Sequence, residues 1–214
     1  MAQAQAEKVI RGAKLRVDST VVETHIHYPT DSVLLGDSVR VLTRFMRQIT
    51  KVVGDMGEKM RNRQNGIIVG FEVYDKRPAD SKLLIPAIEL HQQRLGVVPR
   101  VATGDAGFFS AANETAAQKM GVVQVAVPYR GTHSVQRRKR QKERWFRKAQ
   151  KWRIGCEGRI SVLKRRHGLR RCLYKGETGM HRWVGLGVIA DNLINIGKVL
   201  SARLTPKKSA SDAP

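Results

Sequence analysis

The chain has 214 residues, of which 41% are hydrophobic, and its 40 Lys and Arg against 18 Asp and Glu give a formal net charge of +22. This length and hydrophobic content exclude a disordered basic tail and fit one domain with a sizeable core. Because so much positive charge repels itself unless a polyanion neutralises it, nucleic acid is favoured over a membrane surface as the partner.

The first part of the sequence alternates strand and helix patterns. Residues 13–28 are rich in β-branched residues and lack Gly and Pro, which predicts one long strand or two joined strands. Apolar residues then recur at helical spacing from Val33 to Ile49, behind a polar N-cap within residues 30–32. A polar loop and a second strand are predicted next, over residues 51–66 and 67–75.

The alternation continues in the second part. A helix is predicted after R-P-A-D-S, with its cap within residues 79–81 and its end at Gly96. The remaining predicted elements are a strand ending at Asp105, a helix over 110–120, a strand over 122–128, a very basic helical part over 134–171 and an apolar helix over 183–200. This order predicts an α/β fold with a mixed β-sheet flanked by helices.

The two cysteines and the apolar segments bear on the compartment. Cys156 and Cys172 fit no C-x-x-C pattern, which indicates free thiols in a reducing compartment. No stretch has the ~18 consecutive apolar residues of a membrane span, and the first residues carry no export signal. We therefore expect a cytoplasmic, nucleoid-associated protein without a membrane partner.

Three acids stand in unusual settings. Asp18 lies inside a predicted strand, where an unpaired buried charge is costly. Asp105 ends a strand, at the edge where open α/β sheets bind ligands, and Glu157 lies among cations on a helix. Each also has an ordinary interpretation: a solvent-facing strand residue, a helix-cap or turn residue, and an i, i+4 partner of Arg153.

Taken together, the three acids could supply a metal site. Hard divalent cations such as Mg²⁺ take oxygen ligands. Two such ions about 3.5–4 Å apart can activate the attacking hydroxyl and stabilise the leaving oxygen of a phosphodiester. Two strands and a helix would each contribute one carboxylate.

Four motifs then carry a resemblance: L-R-V-D-S-T-V-V-E-T-H-I-H-Y-P-T-D-S around Asp18, V-Y-D-K-R-P-A-D-S, G-D-A-G-F-F-S around Asp105, and R-x₃-E-x₆-K around Glu157. In order and spacing they resemble the DDE transposases of bacterial insertion sequences, whose catalytic domain has an RNase H-like fold. The last motif is similar to the family signature Y-x₂-R-x₃-E-x₆-K, except that Gln150 stands where Tyr is expected. The resemblance covers most of residues 13–200.

The resemblance implies an RNase H-like mixed β-sheet flanked by helices, with a basic helical C-terminal part. It implies that Asp18, Asp105 and Glu157 hold two Mg²⁺ ions, which Mn²⁺ could replace. The chemistry would be hydrolysis that frees a 3′-hydroxyl at a transposon end, followed by attack of that hydroxyl on target DNA. The partner would be double-stranded DNA, at transposon ends and target, and the resemblance is compatible with a homodimer on DNA.

Several cations are expected to bind DNA. Arg153 and Lys164 would contact phosphates near the cut, since Arg binds phosphate in a bidentate way and Lys acts as a point charge. Further cations of the same segment expected to bind DNA are Arg159, Arg165, Arg166, Arg147 and Lys151. The run over 134–153 also contains Trp145, Phe146 and Trp152, which we interpret as core anchors rather than base-stacking platforms.

Two departures from the family pattern predict a truncated or internally deleted copy. Family members usually have an upstream DNA-binding region, whereas Asp18 comes early here, and the segment between Val41 and Ile67 is short. We therefore expect a protein that folds and binds DNA but transposes poorly or not at all. The predicted boundaries are a disordered or partial segment over 1–12, the catalytic domain over 13–203 and a disordered tail over 204–214.

Two alternatives remain open at the level of sequence. One is a non-catalytic nucleic-acid-binding protein, such as a ribosomal or architectural protein, in which the three acids are incidental. The other is an RNase H-fold nuclease or resolvase, which shares the site and differs in substrate. Convergence of the carboxylates on one place would favour an enzyme, and scattering would favour the binding protein.

Overall fold

The computed structural model describes residues 2–24, 66–76, 78–129, 131 and 134–204. Its helices and strands are α1 (Ala2–Ala6), β1 (Lys14–Arg16), β2 (Glu23–Thr24), α2 (Leu84–Leu95), β3 (Val101–Thr103), α3 (Ala111–Lys119), β4 (Gln124–Ala126), α4 (Val135–Lys142), α5 (Arg144–Arg166), β5 (Arg171–Cys172) and α6 (Gly176–Leu204). Short 3₁₀ helices over Asp80–Lys82 and Ala106–Phe108 precede α2 and α3. The fold is therefore α/β, as predicted. The predicted helix from Val33 to Ile49, the loop over 51–66 and the tail over 204–214 lie wholly or largely outside the described residues.

Three strands form a parallel sheet in the order β1-β3-β4. Arg16 is paired with Thr103, and Thr103 with Ala126, so the three strands end at the same edge. A second, two-stranded sheet pairs β2 with β5, also in parallel. In the part of the chain that the structure describes, every strand pair is thus parallel, and the mixed sheet predicted from the sequence is not seen there.

Apolar residues from α2, α3 and the sheet form the main core. The buried face of α2 repeats at helical spacing, as the sequence predicts, and the helix ends at Gly96, whose φ of 71° is left-handed and suits glycine. Pro86 lies in the first turn of α2, where a proline is tolerated because the amide it lacks has no intrahelical acceptor. The buried members of this core are Leu84, Ile88, Ala102, Phe108, Ala117, Val122, Val125 and Val127.

The predicted basic helical part is two helices. The backbone of Glu143 is extended, with φ −63° and ψ 147°, and this breaks the run between α4 and α5. Phe146 and Ala149 of α5 pack on Ala126 of β4, and Phe146 is 5% exposed, which confirms its interpretation as a core anchor. The 23 residues of α5 then extend beyond the sheet, where Leu163 joins a second core with Leu169, Cys172 and Trp183.

Within the described residues, the strand predictions over 13–28 and 67–75 are wrong in extent, and residues 25–28 lie outside the described part. Between Lys14 and Thr24 only β1 and β2 pair, and residues 66–74 hold no paired strand. Near Ile68 a side chain takes the role of a neighbouring strand. The Ile68 amide donates to Asn192 Oδ1 at 2.8 Å, and Asn192 Nδ2 donates to the Ile68 carbonyl at 2.8 Å. Backbone groups must be satisfied, and here a helix side chain satisfies them.

Helix α6 corrects the expectation that no segment could span a membrane. Residues Gly176–Arg203 are long and apolar enough to do so by length and composition, with a mean hydropathy of 1.3 in the most apolar window. Within that helix, however, Asp191, Asn192 and Asn195 are buried and hydrogen-bonded to α5 or to the segment around Ile68. These are the contacts of a helix packed on the rest of the chain.

The first residues are placed against α2 and α6. Ala4 is buried, Gln5 Nε2 donates to the Leu95 carbonyl at 2.8 Å, and Arg203 donates to the Lys8 carbonyl at 3.0 Å. The segment over residues 2–8 thus has partners on both α2 and α6. The domain boundary near residue 13 stays a prediction.

Candidate active site

Asp18 and Asp105 lie at matching positions beyond two neighbouring parallel strands. Arg16 and Thr103 are the last paired residues of β1 and β3, and each acid follows two residues later. The Val17 amide donates to the Thr103 carbonyl at 2.9 Å, which keeps the two chains adjacent up to the acids. Adjacent strands are about 4.8 Å apart. Both carboxylates therefore belong to the edge of the sheet where open α/β proteins bind ligands.

Asp18 is mostly buried, which corrects the interpretation of a solvent-facing strand residue. Its side chain is 12% exposed, and its Oδ1 accepts from the Ser19 amide at 2.9 Å. Burial raises the pKa of Asp18, whereas the Ser19 amide and the charge of Arg153 lower it, and the charges of Asp105 and Glu157 raise it. Both other acids are thus close enough to repel the Asp18 carboxylate.

Asp105 also has the local role that the sequence offered as its ordinary interpretation. Its Oδ1 accepts from the Gly107 amide at 2.7 Å and caps the 3₁₀ helix over Ala106–Phe108. A cap of this kind fixes the direction of the carboxylate at the strand end. The capping interpretation and the metal-ligand prediction are therefore compatible, since a capping Asp uses one oxygen and keeps the other.

Glu157 is joined to Asp18 through one guanidinium. Arg153 Nη2 lies 2.8 Å from Glu157 Oε1, the i, i+4 pair that the sequence allows, and Arg153 Nη1 lies 3.8 Å from Asp18 Oδ2. Glu157 is 58% exposed, whereas Arg153 is largely buried, and its Nε has no hydrogen-bond partner among the described residues. Arg153 therefore neutralises two acids of the candidate set at once.

The three acids have the donor atoms that a metal site needs, but their positions do not bring all three together. Their hard oxygen donors suit Mg²⁺ or Mn²⁺. Among the described residues, though, no three His, Cys, Asp or Glu side chains gather closely enough to hold an ion. Asp18 and Asp105 share one strand edge, while Glu157 faces Arg153. The pair Asp18 and Asp105 is thus the part of the set that fits a cation best, and Glu157 would have to leave Arg153 to join it.

Two residues that the sequence did not single out lie between these acids. The Ser19 hydroxyl donates to Asp80 Oδ1 at 3.0 Å. A Cβ added at Gly107 would lie 2.9 Å from Asp80 Oδ2 and 3.1 Å from Asp105 Oδ1, so both carboxylates approach this glycine closely. The available signal was the motif V-Y-D-K-R-P-A-D-S, in which Asp80 was interpreted only as a possible helix cap.

Gln150, which stands where the family signature has Tyr, fastens α5 to the strand ends. Its Nε2 donates to Thr103 Oγ1 at 3.0 Å, to the Gly104 carbonyl at 3.2 Å and to the Ala126 carbonyl. Arg153 and Glu157 follow on the same helix within two turns. Gln150 therefore helps to fix α5, the helix that carries the third acid, to the ends of β3 and β4.

The remaining groups beside the site are structural. Burial raises the pKa of the Cys156 thiol to about 11, so this cysteine stays protonated at neutral pH and is a poor nucleophile. Arg16 donates to the Trp152 carbonyl at 3.0 Å, and its guanidinium lies 4.9 Å from the centre of the Trp152 ring. Trp152 is thus a cation–π partner of β1, which agrees with an anchoring role.

The cations predicted to bind DNA differ in their surroundings. Arg159 has partners within the fold, since its Nη1 lies 3.2 Å from both carboxylate oxygens of Asp191 and 3.2 Å from Asn195 Oδ1. This ion pair gives Arg159 a packing role that sequence reasoning missed. Lys164 is half-buried two helical turns from Glu157, on the same side of α5. The exposed members of the predicted set are Arg147, Lys151, Arg165 and Arg166.

Asp18 also borders a wide groove in the described part of the chain. This groove has a volume of about 1790 Å³ and runs between β1, the segment 66–75, α2 and the second half of α5. Asp18, Asp80 and Lys164 are among the residues that line it. A ligand in the groove would therefore meet acids and a cation of the candidate site.

The raised pKa of Asp18 predicts a pH-dependent cost to stability. A carboxyl whose pKa is higher in the folded state favours folding most at low pH, and this contribution is lost as the pH rises through the folded pKa. We expect Asp18→Asn to be more stable than the parent chain at pH 7, on the order of 1 kcal/mol or less, with the difference shrinking towards pH 3. Urea unfolding at several pH values measures this. A variant that is less stable at pH 7 would contradict it.

Comparison with protein families completes the description of the site. Residues 113–197 match a family model described as Transposase DDE domain. This range contains Arg153, Glu157 and Lys164, and it begins after Asp18 and Asp105. No curated protein and no solved structure matches the chain. Residues 113–197 are therefore similar to the DDE domain of transposases, which supports the resemblance that the R-x₃-E-x₆-K motif predicts.

Proposed function

We propose that this chain is the RNase H-like catalytic domain of an insertion-sequence transposase, which binds double-stranded DNA and cuts it with a divalent metal. The observation that carries the proposal is the register of β1 and β3, which aligns Asp18 with Asp105 at one strand edge. The family match over the helix that bears Glu157 supports the same assignment. The parallel order β1-β3-β4 is consistent with an RNase H-like sheet.

Each residue of the site has a proposed task. Asp18, Asp105 and Glu157 would hold Mg²⁺ or Mn²⁺, and a pair of such ions supplies activation of the attacking hydroxyl and stabilisation of the leaving oxygen. Asp18 must be deprotonated to act as a ligand, and its raised pKa moves that step to higher pH. Glu157 would exchange Arg153 for the cation, which frees the Arg153 guanidinium for a phosphate.

The DNA itself would lie along a basic face, which we define as the exposed cations of α4 and of the first eight residues of α5. Helix α4 is fixed to α3 by one acid, since Glu114 pairs with both Arg137 (at 3.1 Å) and Arg140. The cations on the other side of α4 and at the start of α5 remain exposed. The seven members of the basic face are Arg138, Lys139, Lys142, Arg144, Arg147, Lys148 and Lys151.

The wider proposal follows the family resemblance. The catalytic domain would extend over 13–203 and act at transposon ends and on target DNA, with hydrolysis followed by attack of the freed 3′-hydroxyl. We further propose a homodimer on DNA and a location at the nucleoid in the cytoplasm. Measuring the mass of the protein with and without transposon-end DNA tests the homodimer. A complex that contains a single protein chain on the DNA would contradict it.

Glu157→Ala tests the catalytic assignment. We expect it to lower Mg²⁺-dependent nicking of duplex DNA by at least about 100-fold, because even outer partners of a metal contribute 10–100-fold. DNA binding should change by less than about 2-fold, since an acid among cations adds nothing to phosphate contact. Nicking gels and fluorescence anisotropy measure the two properties.

The controls separate this proposal from its alternatives. Glu177→Ala, which removes an exposed acid at the start of α6, should change neither property. Loss of both nicking and binding in Glu157→Ala, or of neither, would contradict the assigned role. Tight DNA binding without metal-dependent nicking by the parent chain would favour the non-catalytic binding protein. Robust nicking by the parent chain would instead contradict the expectation of a decayed copy.

A further inference from the structure

Asp80 contacts both loops that carry the paired acids. Its Oδ1 accepts from the hydroxyl of Ser19, the residue that follows Asp18. Its Oδ2 and Asp105 Oδ1 both approach Gly107, since a Cβ added there would lie 2.9 Å from the first and 3.1 Å from the second. Any side chain at position 107 would meet both carboxylates. One aspartate therefore spans from the end of β1 to the turn after β3.

Ser19 couples Asp80 directly to Asp18. The Ser19 amide donates to Asp18 Oδ1 at 2.9 Å, while its hydroxyl donates to Asp80 Oδ1 at 3.0 Å. A single residue thus holds one oxygen of each acid. Hydrogen bonds to charged acceptors are about twice as strong as neutral ones, so the orientation of Asp18 depends on where Asp80 holds the hydroxyl.

The 3₁₀ helix that contains Asp80 is held in place by hydrogen bonds and by the core packing of the helix that follows it. Asn113 Nδ2 donates to the Ser81 carbonyl, in the 3₁₀ helix of Asp80, and to the Phe108 carbonyl at 3.2 Å, in the 3₁₀ helix after Asp105. Leu84 and Ile88, which follow in α2, are buried in the main core. The Asp80 carboxylate is therefore fixed relative to both strand ends rather than carried on a free loop.

We propose that Asp80 is a positioning residue of the metal site, which sets the direction and separation of Asp18 and Asp105 through Ser19 and the turn at Gly107. This inference rests on the proposed function, because it concerns the same pair of acids. Metal sites depend on such outer partners, which orient the ligands and are worth about 10–100-fold in metal affinity. The Asp80 carboxylate acts here through its neighbours and not as a ligand.

Binding of Mn²⁺ to the full chain without DNA tests this role, with titration followed by electron paramagnetic resonance. We expect Asp80→Ala to weaken Mn²⁺ binding about 10-fold. Asp80→Asn keeps an oxygen for the Ser19 hydroxyl, so it should lose no more than about 3-fold. Ser19→Ala should weaken Mn²⁺ binding nearly as much as Asp80→Ala does. The double variant should bind Mn²⁺ about as well as Asp80→Ala alone, because both substitutions break the same Ser19–Asp80 hydrogen bond.

Controls decide between the possible outcomes. Glu89→Ala, which removes an exposed acid from α2, should bind Mn²⁺ within about 2-fold of the parent chain. Equal losses in Asp80→Asn and Asp80→Ala would make Asp80 a direct ligand and overturn the positioning role. Unchanged binding in Asp80→Ala, or additive losses in the double variant, would overturn it as well. If Asp80→Ala does not fold, Ser19→Ala and Asp80→Asn still decide the question. Absence of Mn²⁺ binding by the parent chain would instead refute the proposed function.

Discussion

DNA binding by this chain should weaken by about 10³–10⁵-fold when NaCl rises from ~50 to ~200 mM, the range for 6–10 phosphate contacts. The basic face supplies seven exposed cations, which is within that range. Binding of this kind is driven by release of counterions from DNA, so each neutralised phosphate adds about 0.9 to the slope of log affinity against log salt. Fluorescence anisotropy with a labelled duplex at several salt concentrations measures the slope.

A matched pair of double variants locates the contacts. Arg147→Gln with Lys151→Gln removes two members of the basic face that lie one turn apart on α5, and should lower the slope by roughly two units. Lys82→Gln with Lys119→Gln removes the same charge from exposed positions next to α2 and on α3, and should change it much less. Equal effects of the two pairs would mean that the net charge of +22, and not this face, determines binding.

Asp191→Ala should cost about 3–5 kcal/mol of unfolding free energy, because it leaves buried partners without their counter-charge. The Asp191 side chain is 3% exposed, and its carboxylate lies 3.2 Å from Arg159 Nη1 and 3.5 Å from His167 Nε2. Asn195 Nδ2 also donates to Asp191 Oδ2 at 3.0 Å. Removing this acid therefore disturbs three polar groups between α5 and α6. Urea unfolding followed by circular dichroism measures the loss.

The control for Asp191 is an exposed acid elsewhere in the chain. Asp75→Ala should change the unfolding free energy by no more than about 0.5 kcal/mol, as is usual for an exposed position. A loss below about 1 kcal/mol for Asp191→Ala would show that the ion pair with Arg159 is not needed to join the two helices. A large loss would show that the Asp191–Arg159 pair holds α6 against α5, the helix that also carries Glu157.

The residues with strong local signals were predictable. Helical spacing from Leu84 to Leu95 and the glycine at 96 place the body and the end of α2 correctly, because each depends on neighbours within a few residues. Its start was wrong: α2 begins at Leu84, after a 3₁₀ helix over Asp80–Lys82, and not at a cap within residues 79–81. The excess of Lys and Arg predicts an anionic partner for a different reason: the net charge is a sum over the sequence and does not depend on the fold. The family motif around Glu157 was also legible, since its three residues lie within one helix.

The arrangement of the candidate site could not be read in this way. Asp80 and Ser19 are 61 residues apart, and Ile68 and Asn192 are 124 apart, so no local pattern relates them. In the sequence, Gln150 is notable only as a departure from the family signature. In the structure its side chain joins α5 to β3 and β4 by hydrogen bonds. Arg159 was predicted to bind DNA because it is a cation in a basic segment. Its partner Asp191 lies on α6 and could not be identified without knowing that α6 packs on α5.

The sequence by itself thus determined the class of fold and the sign and scale of the charge, because these follow from composition and short-range periodicity, whereas the three acids were singled out through the family resemblance. Tertiary structure decided which two acids lie at one strand edge, which cation pairs with Asp18 and Glu157, and which cations stay exposed. The physical reason is that register, burial and ion pairing depend on contacts between distant segments. Only the paired strands align Asp18 with Asp105, and only the packed helix brings Arg153 between Asp18 and Glu157.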